Sequence, residues 1–252
     1  MPPKLKSQRT RHEARPLLCS DNDESMKRIL FLALTIVLLI SCGKENSSNP
    51  QEQTVPGETV KMEAVDLGLS VKWATMNLGA SRPEECGDFY AWGETEPKSE
   101  YNSTNYKFGL TSSASTLTKY SKKDNKAYLD LSDDAAHVKL GGSWRMPTMR
   151  EFQELLGGCK WTWTSNYKGT GVVGFIISSK VPGHTGNSIF LPAAGYCSGT
   201  LHAQYGESGD YWSSFLMIDR AYFAWHLHYD IDKETVAYDY RHTGYPIRPV
   251  SE

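Results

Sequence analysis

The residue types best suited to ligand contact are concentrated near the C-terminus. Tyrosine, histidine and aspartate recur between Asp219 and Tyr245, whereas no asparagine follows Asn187. Tyrosine offers a large contact area at small entropic cost, and histidine and aspartate add hydrogen bonds, so this composition suits recognition of a glycan or a protein. The predicted ligand-binding residues are Tyr222, His226, His228, Asp230, Tyr238, Tyr240 and His242.

A β-hairpin is expected to present these residues. The segment from Ala221 to Tyr229 alternates, residues 231–234 would turn, and residues 235–241 would return as the partner strand. One strand face is predicted to carry Phe223, Trp225, Leu227 and Tyr229, and the other to carry Tyr222, Ala224, His226, His228 and Asp230. The ligand face is expected to comprise this hairpin and a loop around residues 205–211.

A metal site on the same strand is an alternative. His226, His228 and Asp230 could ligate an ion because alternate residues of a strand point the same way. Solvated strands carry such residues without metal, however, and the sequence shows no second cluster and no glycine-centred acidic calcium loop. We therefore expect no metal and no other cofactor.

The cysteines give little support for catalysis. Cys197 lies in a Gly-Tyr-Cys-Ser-Gly segment resembling a nucleophile elbow, but the sequence shows neither a strand-to-helix context nor a paired base. If Cys42 carries a lipid, as the sequence before it indicates, three cysteines remain after it. Cys86, Cys159 and Cys197 can form at most one disulfide. No Cys-x-x-Cys spacing occurs, which argues against a structural zinc site. We expect a protein that is not an enzyme.

Residues 26–41 have the pattern of a lipoprotein signal peptide. Lys27-Arg28 precedes an apolar run from Ile29 to Ile40, and Leu-Ile-Ser-Cys ends in the lipobox cysteine, Cys42. A transmembrane anchor is the alternative, but the run is short for a span and polar residues follow at once. A lipid anchor at Cys42 in the outer membrane, exposed at the cell surface, is therefore expected.

The remaining chain is expected to contain one folded domain. Residues 1–25 are interpreted as a start-site artefact or disordered extension, residues 42–59 as a flexible tether, and residues 60–252 as the domain. Lys44-Glu45 resembles the surface-export signal of Bacteroidota lipoproteins. Removal of residues 1–41 leaves 20 basic and 25 acidic residues, a formal charge of −5, so nucleic acid is not an expected partner.

Two short helices are predicted among strands and long loops. Ser132, followed by two aspartates, is expected to cap a helix that runs to about Val138. Thr148 and Glu151 have the spacing of a capping box for a second helix, which a pair of glycines at 157–158 would end. Buried strands are expected at 172–178 and 188–191, and a surface excursion at 97–125.

Several separated motifs carry a family resemblance. They are Val65-Asp66-Leu67-Gly68-Leu69-Ser70-Val71-Lys72-Trp73-Ala74, Tyr90-Ala91-Trp92-Gly93-Glu94, Trp144-Arg145-Met146-Pro147-Thr148, Leu191-Pro192-Ala193-Ala194-Gly195-Tyr196, Tyr211-Trp212-Ser213-Ser214 and Gly244-Tyr245-Pro246-Ile247-Arg248-Pro249-Val250. In this order they resemble the Fibrobacter succinogenes major paralogous domain family. The resemblance implies an α+β fold of the C-type lectin-like type, with two helices, a small twisted antiparallel sheet and long loops.

The motif residues also have structural interpretations. Trp92, Trp144 and Trp212 are expected to be core aromatics with satisfied indole N–H groups. Arg145 and Arg248 are expected to hold loops through paired hydrogen bonds to carboxylates or carbonyls.

Two groups of proteins that share the implied fold suggest further hypotheses. Formylglycine-generating enzymes use a cysteine pair in their C-terminal part, but no cysteine follows Cys197 here. Proteins diversified by retroelements vary at adenines, and asparagine codons altered in this way yield tyrosine, histidine and aspartate, so the C-terminal segment could be a diversified ligand face. Two alternatives to a binding module remain: a structural or adhesive component of surface appendages, and an enzyme on a scaffold similar to that of formylglycine-generating enzymes.

Overall fold

The computed structural model describes residues 62–111 and 114–252, in which short strands predominate. Two α-helices occur in these ranges, α1 (Ala135–Leu140) and α2 (Met149–Gly158). The strands, in chain order, are β1 (Ala64–Val65), β2 (Lys72–Ala74), β3 (Phe89–Tyr90), β4 (Cys159–Thr164), β5 (Gly174–Ser179), β6 (Ser188–Pro192), β7 (Tyr196–Ser198), β8 (Leu201–Ala203), β9 (Ser208–Leu216), β10 (Phe223–Asp230), β11 (Lys233–Tyr240), β12 (Tyr245–Pro246) and β13 (Val250–Ser251). The fold class is α+β, as predicted.

The strands form several small antiparallel sheets. Two three-stranded sheets have the orders β11–β10–β9 and β4–β5–β6, and a third has the order β1–β2–β13. The β2–β13 pairing places Val250 opposite Trp73, so the last strand closes against one of the first. The shorter pairs are β3 with β12 and β7 with β8.

Apolar side chains on both faces of the β9–β10 pair are buried in two hydrophobic clusters. Leu227 and Tyr229 lie in the cluster that includes Phe152 of α2. Ala224 and Trp212 lie in the other cluster. Because β9 and α2 cover β10, its residues have much less access to solvent than those of an isolated hairpin.

Local sequence determines α2 as predicted. Thr148 accepts a hydrogen bond from the Glu151 amide at 3.2 Å, and the Glu151 carboxylate accepts one from the Thr148 amide at 2.7 Å, which completes the capping box. Arg145 donates two hydrogen bonds to the same carboxylate, at 2.9 and 2.7 Å. The predicted paired interaction of Arg145 is therefore confirmed.

The cap predicted for α1 was wrong by two residues. Leu131–Asp133 forms a 3-10 turn, and Asp134 rather than Ser132 caps the helix that follows. The Asp134 carboxylate accepts from the amides of His137, at 2.9 Å, and Met146, at 2.8 Å. The two carboxylate oxygens accept from two separate amides and so join the helix start to the next loop.

The predicted strands occur with small shifts at β5, β6, β10 and β11. The loop expected around residues 205–211 is only partly correct, because residues 205–207 form a turn, whereas β9 begins at Ser208 and its first residues are buried. The indole N–H groups of Trp92 and Trp212 donate to backbone carbonyls at 2.8 Å, as expected. Trp144 is only half-buried and is not part of either core cluster.

Buried Arg248 satisfies the second arginine prediction. Its guanidinium donates to Asn77 Oδ1 at 2.9 Å and to the carbonyls of Ala74 and Phe190 at 2.9 and 2.8 Å. Burial lowers the pKa of Arg248 to about 10, and the group stays charged at neutral pH. Arg248 thereby joins its own segment to residues 74–77 and to Phe190 of β6.

The predicted extension at 1–25, signal peptide at 26–41, tether at 42–59 and lipid site at Cys42 lie outside the described residues. Within residues 62–111 and 114–252, neither helix has the length and apolar composition that a membrane span requires.

The Glu151→Gln variant tests the capping box and the Arg145 pair. Burial opposes the charge on Glu151, but the Arg145 and Thr148 hydrogen bonds outweigh it and hold the Glu151 pKa below its ordinary 4.5. The ionised Glu151 carboxylate therefore stabilises the fold at pH values above its ordinary pKa of 4.5. This stabilisation is lost as the pH falls through the lower pKa that Glu151 has in the folded state. We expect Glu151→Gln to lower the free energy of unfolding by roughly 2–3 kcal/mol at pH 7.

Urea unfolding at several pH values measures this effect. The difference between wild type and Glu151→Gln should shrink once the pH falls below about 4. Arg150→Gln is the control, because the side chain of Arg150 is 86% exposed and its ion pair with Glu154 spans 3.7 Å. A loss that does not depend on pH would contradict the assigned role of the charge.

Candidate functional site

A cleft of about 370 Å³ opens between the end of the β10–β11 hairpin and the β7 region, and we call it the hairpin cleft. It is lined by Tyr196, Ser198, Gln204, Asp210, His228, Asp239, Tyr240, His242, Thr243 and Tyr245. Its residues come from β7, β9, β10 and β11, from the turn between β8 and β9, and from the segment that follows β11. Its volume falls in the range of small-ligand sites, whereas its lining is more polar than is usual for them.

Arg241 fixes the wall of the cleft that contains Tyr240 and His242. Its fully buried guanidinium donates to the Tyr106 hydroxyl at 2.8 Å and to the Ala221 carbonyl at 2.9 Å. The guanidinium carbon lies 4.8 Å from the Trp92 ring centroid and 5.1 Å from that of Tyr106. Because Arg241 is held on several sides, its two neighbours in the chain have a defined position.

A hydrogen-bonded pair forms another part of the lining. The Tyr245 hydroxyl donates to Asp239 Oδ2 at 2.7 Å, while Asp239 Oδ1 accepts from the Tyr240 amide at 2.7 Å. Burial and the nearby carboxylates of Asp210 and Asp239 raise the Tyr245 pKa well above its ordinary value. The phenol therefore remains protonated and acts as a donor.

His242 presents a neutral imidazole at the cleft. Burial lowers the pKa of His242, although the charge of Asp239 opposes this effect. The His242 Nδ1 atom is hydrogen-bonded to the Thr111 hydroxyl. This contact orients the ring beside Tyr240, whose ring centroid is 5.4 Å away.

The floor of the cleft contains a buried aspartate between two histidines. Asp210 Oδ1 lies 2.8 Å from His228 Nδ1 and 3.4 Å from His226 Nε2. Burial disfavours charge on Asp210, but the two histidines outweigh it and keep the Asp210 pKa below its ordinary value. The hydrogen bond to Asp210 raises the His228 pKa against a smaller opposing effect of burial.

A close approach in the core sets the position of Asp210. The Tyr229 ring lies directly over Gly209, its partner residue on β9. A Cβ atom added to Gly209 would lie 2.0 Å from this ring. The single hydrogen of the Tyr229 hydroxyl is donated towards the Leu191 and Pro192 carbonyl oxygens, which lie 2.9 and 2.7 Å away. Glycine at 209 is thus required by packing, and the next residue, Asp210, faces the cleft.

The predicted ligand-binding residues do not form one face. His228, Tyr240 and His242 line the cleft, and Asp230 lies at the end of β10 with its Oδ2 atom 3.9 Å from His228 Nε2. His226 is only 4% exposed and packs against the rings of Trp212 and Tyr245, so its prediction as a surface contact was wrong. The pairing of β9 with β10 is the physical reason.

Tyr222 and Tyr238 belong to a second surface, which we call the aromatic face. Tyr238 packs against Phe223 and Trp225, with ring centroids 5.3 and 5.6 Å apart, and Tyr222 packs against Phe223 at 4.6 Å. Tyr240 also contacts Phe223, at 4.6 Å, and therefore lies at the boundary between the aromatic face and the cleft.

Sequence reasoning did not identify Tyr196 or Gln204 as lining residues, and it included Asp210 only within the loop expected around residues 205–211. Asp210 directly precedes the Tyr211-Trp212-Ser213-Ser214 motif, and its position opposite His228 follows from the register of β9 and β10. Reading that motif as a strand would have indicated the pairing. Tyr196 reaches the cleft because Cys197 of β7 bridges to Gly244.

The expected lack of a nucleophile elbow at Cys197 agrees with the local structure. Cys197 lies in β7, which pairs with the next strand, β8, across a turn. A nucleophile elbow needs a strand followed by a helix. Buried Cys159 is in a different environment, where desolvation raises its thiol pKa to about 11 and makes it unreactive at neutral pH.

No family model, curated protein or solved structure is significantly similar to this chain. The family resemblance of the motifs therefore stays a prediction, and the geometry of the site is the basis for any proposed function.

Replacement of Arg241 by lysine tests whether this side chain organises the cleft. Lysine retains the charge but lacks the planar fork that donates in several directions and stacks among aromatic rings. We expect Arg241→Lys to lower the free energy of unfolding by roughly 2–4 kcal/mol and to shift the NMR signals of the His242 ring. Denaturant unfolding and a histidine-selective NMR spectrum measure the two effects.

The matched control is Arg82→Lys, because the Arg82 side chain is 68% exposed and pairs only at the surface. It should change stability by less than about 0.5 kcal/mol. If both lysine variants lowered the free energy of unfolding equally, the buried contacts of Arg241 would not be a source of stability.

Proposed function

We propose that this chain is a non-catalytic, lipid-anchored binding module of the cell surface that takes a glycan in the hairpin cleft. The observation that carries the proposal is the lining of the cleft: tyrosine rings, a neutral imidazole and several hydroxyl, amide and carboxylate groups converge around about 370 Å³. Sugars present C–H surfaces and hydroxyls, which pair with rings and with polar groups respectively. The tyrosines supply contact area at a small cost in entropy.

The fold supports this proposal at a coarser level. We propose a C-type lectin-like domain of the Fibrobacter succinogenes major paralogous type, which the order of the motifs favours. Two helices, small antiparallel sheets and long loops are compatible with that fold. Lipid attachment at Cys42 and exposure outside the outer membrane are proposed from the signal and tether sequences alone.

Retroelement diversification of the C-terminal segment is part of the same hypothesis. His226, Tyr229 and Tyr245 are buried, so free variation at these positions would damage the core. Exposed positions such as Tyr238 and Tyr240 could vary without that cost. A neighbouring reverse transcriptase gene and a near-copy template with asparagine codons would support diversification, and a genome with neither would exclude it.

A protein ligand is the second candidate, and the aromatic face is the observation that favours it. Tyr238 is 41% exposed beside the half-buried rings of Phe223 and Trp225. Exposed aromatic clusters are common at protein interfaces. The two candidates place the ligand on different sides of the same hairpin, so variants can separate them.

Tyr240→Ala and Tyr238→Ala form a matched pair for this test. The two tyrosines are two residues apart on β11 and are 42% and 41% exposed, but only Tyr240 lines the cleft. The purified full chain is first screened on a glycan array. For a glycan hit, we expect Tyr240→Ala and His242→Ala each to weaken binding about tenfold, while Tyr238→Ala changes it less than twofold.

Calorimetric titration of each variant with the best array glycan gives the affinities. If Tyr238→Ala weakens binding while His242→Ala has no effect, the ligand lies on the aromatic face. If no glycan binds, the glycan proposal is wrong, and a protein array probed with the same three variants tests the second candidate.

A further inference from the structure

We infer that Asp210, His226 and His228 bind a divalent transition-metal ion such as Zn²⁺ at the floor of the hairpin cleft. The sequence predicted no metal, because His226, His228 and Asp230 formed only a single row on one strand. Strand pairing changes the ligand set by placing Asp210 of β9 opposite His228 of β10. The ion would bind whether or not a glycan enters the cleft.

The distances between the donor atoms suit one small ion. One donor atom from each of Asp210, His226 and His228 lies within 4.8 Å of the other two. Asp210 Oδ1 is 3.4 Å from His226 Nε2 and 2.8 Å from His228 Nδ1. Ligand atoms at about 2.0–2.2 Å from a tetrahedral zinc ion are separated by about 3.3 Å. Small movements of the side chains would therefore be sufficient for coordination.

The chemistry of the donor set favours a first-row transition ion over calcium. Two imidazole nitrogens and one carboxylate oxygen match the preference of zinc, and also of iron(II) and nickel(II). Calcium requires six to eight oxygen ligands. Three protein ligands leave a further coordination position, and because Asp210 and His228 line the cleft, that position would face the cleft.

Neighbouring groups would support the ligands. The Ser208 hydroxyl lies 3.1 Å from Asp210 Oδ2, the carboxylate oxygen that is not shared with the histidines. Asp230 Oδ2 lies 3.9 Å from His228 Nε2, which is longer than a hydrogen bond, so a small side-chain movement would let this carboxylate orient the metal-bound imidazole through its second nitrogen. Asp230 thus has a supporting position rather than the ligand position considered from the sequence.

The same side chains could instead form a hydrogen-bonded cluster that contains no ion. In that case His228 donates to Asp210. The buried Nδ1 atom of His226 has no hydrogen-bond partner among the described residues in either arrangement, because the ion would bind through Nε2. The two arrangements differ in one measurable property. Only the metal site gives a stoichiometric affinity for Zn²⁺ that depends on these three side chains.

The test is calorimetric titration of Zn²⁺ into the purified full chain after dialysis against a chelator. We expect one ion per chain, and a loss of affinity of at least tenfold in Asp210→Asn and His228→Asn. His184→Asn is the matched control, since this half-exposed histidine also pairs with an aspartate, Asp66, at 3.4 Å but is not a member of the cluster. It should bind Zn²⁺ like the wild type.

His228→Asn keeps the test decisive if Asp210→Asn does not fold, because the His228 side chain is 25% exposed. A second measurement follows the histidine ring signals by NMR, which should shift for His226 and His228 when Zn²⁺ is added and stay unchanged when Ca²⁺ is added. Absence of Zn²⁺ binding in the wild type, or equal binding in a folded His228→Asn variant, would overturn the inference. Neither outcome affects the test of glycan binding by Tyr240 and His242.

Discussion

The burial of the Arg241 guanidinium among aromatic rings is the interaction on which the candidate site depends most. A charged group in the core loses its hydration, and it remains charged there only if other groups replace the water. Arg241 donates to the Tyr106 hydroxyl and to the carbonyls of Lys119, Tyr120 and Ala221, while Trp92 and Phe108 surround its plane. These partners come from segments far apart in the chain, so the loop between 92 and 120 is tied to the end of the hairpin.

That constraint explains how a short segment can present side chains to solvent in a fixed geometry. Tyr240 and His242 flank Arg241, and neither has to be buried for its backbone to be held. His242 is further oriented by Thr111, which belongs to the same loop as Tyr106. A ligand that contacts these rings would therefore meet a preorganised wall, and the entropic cost of ordering it has already been met by the fold.

Local rules predicted only part of this arrangement. The α2 capping box and the β10–β11 hairpin were found from the sequence because both depend on residues close together in the chain. The burial of His226 and the role of Asp210 were not found, since they depend on the pairing of β10 with β9. The β9 segment lacks the alternation of apolar and polar residues that would have marked it as a strand. Arg241 also gave no signal, because a single arginine at the end of a predicted strand is usually exposed.

The division of the hairpin into two surfaces follows from the same non-local packing. Helix α2 and the β4–β5–β6 sheet contribute to the hydrophobic cluster that covers Leu227 and Tyr229, which leaves Phe223, Trp225 and Tyr238 at the uncovered end of one face. The other face is covered by Trp212 and Tyr245 at His226, and it opens to the cleft at Asp210 and His228. Alternation along β10 thus separates the two surfaces, whereas Tyr240, at the end of β11, contacts both. A ligand that needed both surfaces would have to wrap around this strand end, so each surface is more simply explained as a separate contact region.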